Sequence, residues 1–312
     1  MKSQFVLIAL LCICGCAQLE GKPGKSTLPL AEIGVEFITS IGRAGSGPGH
    51  FLQPTGLALS PETGGRLYVA DTGNQRIQVF NTAGDYLFQF GRFGMGAGEF
   101  NEPVALACDG QVLAVSDQLN HRIQVFNTQG AFLRCFGTQG SGIGQFNRPA
   151  GLAWDSWGYL YVADSENDRV QRLDRYGFWQ MNYSAFGTSF GFMRRPAAVC
   201  MDTPTHLFVL EAGNHRIQHY NDQGDYLGSF GQTDDPKCEL QEPQAMTMAS
   251  GLVFVADTGH DRVAVFAADG RWVREVREPE MRGPMGVAAD ADGNLWVADT
   301  GNSRLLKYKI RL

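Results

Sequence analysis

The sequence predicts an all-β fold, a six-bladed β-propeller whose last blade is completed by the N-terminal strand, and three observations carry that reading. Glycine is 39 of 312 residues, one in eight against a usual ~7%, which favours many short strands joined by tight turns. A motif, acid-x-x-Asn-x-Arg, recurs six times at near-constant spacing. A strand-like segment ahead of the first unit matches the one missing from the last. With 44% hydrophobic and 19% charged residues the chain can bury a large core, which excludes disorder. The net charge of −6 and the lack of any Lys/Arg cluster longer than a pair leave little to neutralise phosphates, so nucleic acid is not an expected partner.

Residues 1–15 read as a leader. Lys2 precedes an apolar run from Phe5 to Ile13, about half the ~20 residues a membrane span needs. Ile13-Cys14-Gly15-Cys16 resembles the lipobox of bacterial lipoproteins, which makes Cys16 the expected acylated N-terminus. An ordinary signal peptide cut near Ala17 is the alternative. Ala17 is not the aspartate that this resemblance associates with inner-membrane retention, so the expected location is the outer membrane of a bacterial cell envelope. Residues 16–33 are polar, bear glycine and proline, and read as a tether; residues 34–312 are the expected propeller.

The period follows from the motif acids Asp71, Asp117, Asp164, Glu211, Asp257 and Asp299, spaced 46, 47, 47, 46 and 42 apart, with Arg76, Arg122, Arg169, Arg216, Arg262 and Arg304 five positions on. Periods of this length signal stacked supersecondary units. A proline opens each unit, at Pro54, Pro103, Pro149, Pro196, Pro243 and Pro284, and a small apolar strand follows it. After a turn comes a strand such as Leu67-Tyr68-Val69-Ala70, then the motif loop, then an alternating strand such as Arg76 to Phe80. A glycine turn leads to a fourth strand, as in Tyr86 to Gly91. The sixth unit ends after its third strand, while Phe37 to Gly42 has the aromatic start and terminal glycine of a fourth strand. Open sheets expose edges, and a ring sealed by this segment removes them.

The motif after Val-Ala, with the Phe-x-x-Pro approach of the first three units, resembles the NHL repeat over residues 37–312. Glu211 and His260 depart from its Asp and Asn, and units four to six lack the full Gly-rich approach. The resemblance implies the propeller and a loop face able to bind partners. It also offers one test for enzymes: propellers of the peptidyl-hydroxyglycine amidating lyase kind carry zinc histidines directly after the unit-opening prolines. Here those positions are Thr55, Val104, Ala150, Ala197, Gln244 and Met285, with no histidine or carboxylate among them.

Other candidates are weighed against the repeat. The Gly-x-Gly-x-Gly runs at 45–49, 94–98 and 140–144 precede strands rather than helices, so they read as blade connections and not phosphate loops. The repeated acids and arginines read as fold determinants, because they occur once per unit. His121, His215 and His260 lie in separate motif loops and are expected at the rim rather than as zinc ligands. Cys108, Cys135, Cys200 and Cys238 read as buried thiols by default. The stretch Tyr176, Phe178, Trp179, Tyr183, Phe186, Phe190 and Phe192 is divided between core packing and a possible docking patch.

The resulting expectation is a lipid-anchored, non-enzymatic platform for an envelope protein, peptide or glycan, without cofactor or metal. Weak ligand-binding candidates are Thr55, Gln244, Met285, His121, His215 and His260. The alternative is a propeller-type lyase or hydrolase with a site at the channel mouth.

Overall fold

The computed structural model describes residues 33–62, 65–183, 187–232, 235–290 and 292–311. The expected leader, Cys16 and nearly all of the tether lie outside these residues, as does Phe186.

Six four-stranded antiparallel sheets follow one another along the chain. Blade 1 comprises β2 (Pro54–Leu59), β3 (Arg66–Asp71), β4 (Arg76–Asn81) and β5 (Tyr86–Phe90). Blade 2 has β6 (Pro103–Cys108), β7 (Val112–Asp117), β8 (Arg122–Asn127) and β9 (Phe132–Phe136). Blade 3 has β10 (Pro149–Trp154), β11 (Leu160–Asp164), β12 (Arg169–Leu173) and β13 (Trp179–Tyr183). Blade 4 has β14 (Pro196–Thr203), β15 (His206–Glu211), β16 (Arg216–Asn221) and β17 (Tyr226–Phe230). Blade 5 has β18 (Pro243–Ala249), β19 (Leu252–Asp257), β20 (Arg262–Ala267) and β21 (Trp272–Val276). Blade 6 joins β22 (Gly286–Ala289), β23 (Asn294–Asp299) and β24 (Arg304–Arg311) to β1 (Gly34–Ile41).

The closing strand is where the sequence placed it. Strand β1 runs antiparallel to β24, from Gly34 opposite Arg311 to Ile41 opposite Leu305, with an irregularity between Phe37 and Thr39. The inner strands β2, β6, β10, β14, β18 and β22 touch in turn, and β22 returns to β2. That close approach dictates small residues: a Cβ at Gly286 would lie 1.9 Å from the carbonyl oxygen of Thr55, and one at Gly56 would lie 2.4 Å from that of Val104.

Apolar side chains fill the wedges between blades. Phe51, Leu57, Val69, Trp296, Ala298 and Leu305 pack between blades 6 and 1. The Phe-x-x-Pro position is a buried apolar plug in every unit: Phe51, Phe100, Phe146, Met193, Leu240 and Met281. In the later units Met or Leu does the work of Phe, which hid the equivalence in sequence. Each early plug needs the glycine that ends the preceding fourth strand. Gly42 sits at φ 84°, and a Cβ there would lie 2.3 Å from the Phe51 ring.

The strand directions give the ring two different faces. Unit-opening prolines, motif loops and blade connections gather on one, the mouth face. The β-turns joining first to second and third to fourth strands lie on the other, the underside, where β1 also begins.

The four cysteines within the described residues form no disulfide. Cys108 is buried, and burial pushes its thiol up to about 12. Cys135 departs from the expected buried thiol: it is exposed, because it sits on the solvent side of β9, an outer strand whose burial alternates.

Candidate functional site at the channel mouth

The motif residues build the rim on which a site can rest. Asp71 is fully buried and takes the Arg76 Nε–H at 2.7 Å, the Leu52 N–H at 2.8 Å and the Asn74 amide. Arg76 spends its remaining donors on the carbonyls of Ser46, Gly47 and His50 and on the Gln89 side-chain oxygen. The other five acids are likewise buried, and each pairs with the arginine five positions on, at 2.6–2.8 Å. The ion pair therefore pins each blade-connecting loop to the blade it leads into.

One repeated residue escaped the sequence reading. Two positions past the arginine, Gln78, Gln124, Gln171 and Gln218 are fully buried. Each donates to the motif acid and to a loop carbonyl, and its Oε1 accepts a loop N–H, from Gly49, Gly98, Gly144 and Gly191 respectively. Ala264 and Leu306 stand there in blades 5 and 6. The fourth unit, read as lacking the full Gly-rich approach, therefore shares this latch through Gly187 and Gly191. The extended motif acid-x-x-Asn-x-Arg-x-Gln was present in the sequence as its signal.

The three histidines do not converge. His121 sits in the left-handed region at φ 52°, and its Nδ1 accepts the Arg148 N–H at 3.1 Å, stapling blade 2 to blade 3. Burial, with the nearby Arg148 charge, lowers its pKa, which keeps that nitrogen free to accept. Gln75, Asp168 and Asp261 accept the corresponding N–H groups of Glu102, Arg195 and Gly283. His215 occupies the same left-handed position in blade 4. His260 replaces the motif asparagine and pairs through Nδ1 with Asp257 at 2.9 Å. No group of three His, Cys, Asp or Glu among the described residues is arranged to hold a metal ion.

The six side chains after the prolines do come together. Thr55, Val104, Ala150, Ala197, Gln244 and Met285 line a cavity of about 420 Å³ on the ring axis, with Leu57, Leu106, Leu152, Val199, Met246 and Val287 below them. Above them stand Gln53, Glu102, Arg148 and Arg195, all preceding a proline and all at positive φ, between 47° and 65°. Glu242 and Gly283 hold the same left-handed conformation before their prolines, so it is a feature of every unit's entry into its inner strand. Arg148 pairs with Glu102 at 3.2 Å and bonds Gln118 at 2.9 Å. Arg195 approaches Glu166 only to 3.6 Å, and its side chain is 61% exposed.

The polar candidates differ in how committed they are. Thr55 is buried, pairs with the Thr72 hydroxyl at 2.6 Å and reaches the Val104 carbonyl; Thr72 in turn donates to Pro103 O. Thr258 and Thr300 make the same bond to Pro284 O and Pro54 O. Those hydroxyls fasten neighbouring blades. Gln244 makes one long bond, to Glu242 O at 3.2 Å, and is the more available to a ligand.

Residues 51–80 and 281–308 match the family model of the NHL repeat. The chain is a six-bladed β-propeller of NHL repeats. No curated protein matches its sequence significantly. Among solved structures, the NHL propeller is similar to a chain of a nidogen/laminin complex, with a TM-score of 0.63 and 18% identity over 75% of this chain and 83% of that one. It is similar to a catalytically inactive virginiamycin B lyase from Staphylococcus aureus with quinupristin, at 0.61 and 12% over 89% and 99%. A protein of unknown function from Bacteroides thetaiotaomicron gives 0.64 and 15% over 90% and 77%. At these identities the likeness is one of fold.

Proposed function

We propose that this NHL propeller is an exported, lipid-anchored and non-enzymatic binding protein of the cell envelope, and that it seats a segment of a protein or peptide partner at its channel mouth. The observation that carries the reading is the axial cavity: an apolar waist beneath a ring of polar side chains, the arrangement ligand sites favour. Met285, Val104 and Met246 offer adaptable apolar contact, while Gln244 and the Arg195 fork can meet backbone carbonyls or a carboxylate. The residues lining the cavity include no aromatic ring on which a sugar could stack, which favours peptide over glycan. Neighbours of the same fold occur in a complex between proteins, nidogen and laminin, and in a lyase with quinupristin. The two mouth carboxylates, Glu102 and Glu166, face arginines, which suits a binding rim more than an acid–base pair. The anchor rests on Cys16.

Arg195→Ala combined with Gln244→Ala should weaken partner capture from solubilised envelopes about ten-fold or more, while changing stability by less than about 1 kcal/mol, since both side chains are exposed or half-exposed. Capture unchanged by the pair would move the site away from the mouth. Labelling with a palmitate analogue, lost on Cys16→Ser, is the readout for the anchor.

A further inference from the structure

The six-fold repeat is its own control for what the scaffold needs, and blade 3 departs from it at three underside positions. In the turn between third and fourth strands, Tyr176 stands where the other blades carry Ala83, Gln129, Gln223 and Asp269; Phe178 stands where they carry Asp85, Ala131, Asp225 and Arg271. In the turn between first and second strands, Trp157 stands where the equal-length turn of blade 6 has Asp292. These rings are 56%, 67% and 69% exposed for Trp157, Tyr176 and Phe178. Trp179, by contrast, aligns with Tyr86, Phe132, Tyr226 and Trp272 and belongs to the scaffold.

The two turns are each closed by an aspartate and lie side by side. Asp155 Oδ1 accepts the N–H groups of Trp157 and Tyr159, and Asp174 Oδ1 accepts those of Tyr176 and Phe178. A Cβ at Gly158 would lie 3.5 Å from Arg175 Nε, so the two turns share one corner. Arg134 lies 5.9 Å beneath the Tyr176 ring.

We propose that this corner is a membrane contact, with Trp157, Tyr176 and Phe178 seated at the boundary between headgroups and acyl chains. The choice of a lipid surface over a protein rests on the anchor proposed above and on where the chain enters the ring. Strand β1 starts at Gly34 on the underside of blade 6, the same face as the aromatic corner and diametrically across from blade 3. Seventeen residues separate Cys16 from that entry point and span at most about 60 Å. A single attachment point does not by itself fix which face of the ring meets the bilayer. A second contact on the opposite blade lays the underside on the bilayer and turns the channel mouth away from it. Tryptophan and tyrosine favour that interfacial depth. The aspartates of these turns are engaged with backbone N–H groups and Arg175 pairs with Asp109 at 3.2 Å, so the contact is apolar rather than charge-driven.

The test uses the full chain carrying Cys16→Ser, so that no acyl chain contributes, and phosphatidylcholine vesicles brominated in the acyl region. The vesicles should quench a fluorescence component that disappears on Trp157→Phe, and high salt should leave the quenching unchanged. Tyr176→Ser with Phe178→Ser should lower vesicle partitioning about ten-fold or more at an unchanged melting temperature. The apolar leader is common to all these chains, so only differences between them read the corner. Unquenched Trp157 on a vesicle-bound chain, or equal partitioning of the double variant, would overturn the proposal and leave the corner to a protein partner. Palmitate-analogue labelling of the unaltered chain separates the two claims: quenching without labelling keeps the contact and removes the anchor, and labelling without quenching does the reverse.

Discussion

A chain lacking residues 34–42 is expected to lose at least about 4 kcal/mol of stability and to unfold at a markedly lower urea midpoint. The deletion removes the ladder that pairs Gly34–Ile41 with β24. It also removes Ile41 and Val35 from the wedges on either side of blade 6, and it takes away Gly42, whose bare backbone admits the Phe51 ring. What remains is an apolar sheet edge open to pairing with other chains. Oligomers at low denaturant would accompany the loss. A deletion chain with the parent midpoint would mean that β1 is an appendage and that the other three strands of blade 6 close the ring by themselves.

Asp71→Ala is expected to cost about 3–5 kcal/mol, the scale for breaking a buried pair by removing one partner. Arg76 is 6% exposed and would keep its charge without its carboxylate. The Leu52 N–H and the amides of Asn74 and Gln78 would lose an acceptor in the same step. Asp71→Asn retains one acceptor oxygen and should cost less. Urea denaturation of the two variants checks the order, and a cost below about 1 kcal/mol for the alanine variant would show that water replaces the carboxylate and that the latch is not buried in solution.

The architecture was legible because the repeat multiplies every signal. Six acids, six arginines and six prolines state the period, and the strand at Phe37 to Gly42 is recognisable by what blade 6 lacks. Features that depend on contacts between units were not. Gln78 and its equivalents look like ordinary polar residues of an alternating strand until the loop of the preceding blade is seen to fold over them. His121 reads only as a rim histidine in sequence, and that its Nδ1 caps a backbone N–H of the next blade appears only in the fold. The mouth was half legible: the residues after the prolines line the cavity, but Glu102, Arg148 and Arg195 were invisible as a ring, because they meet only where separate blades converge on one axis. The aromatic stretch from Tyr176 to Phe192 reads in sequence as part core and part docking patch, without saying which residue falls where. In the fold it divides, with Tyr176 and Phe178 on the underside, Tyr183 in the core, and Phe190 and Phe192 on a loop of the mouth face.

Hydrogen exchange of the full chain, free and with a partner captured from envelopes, tests the binding reading most directly, because the mouth and the underside lie on different peptides. Binding at the mouth predicts slowed exchange in residues 102–106, 148–152, 195–199 and 243–246, which border the axial cavity, with residues 155–158 and 174–179 unchanged. Protection confined to those underside turns, or to the outer strands, would contradict it.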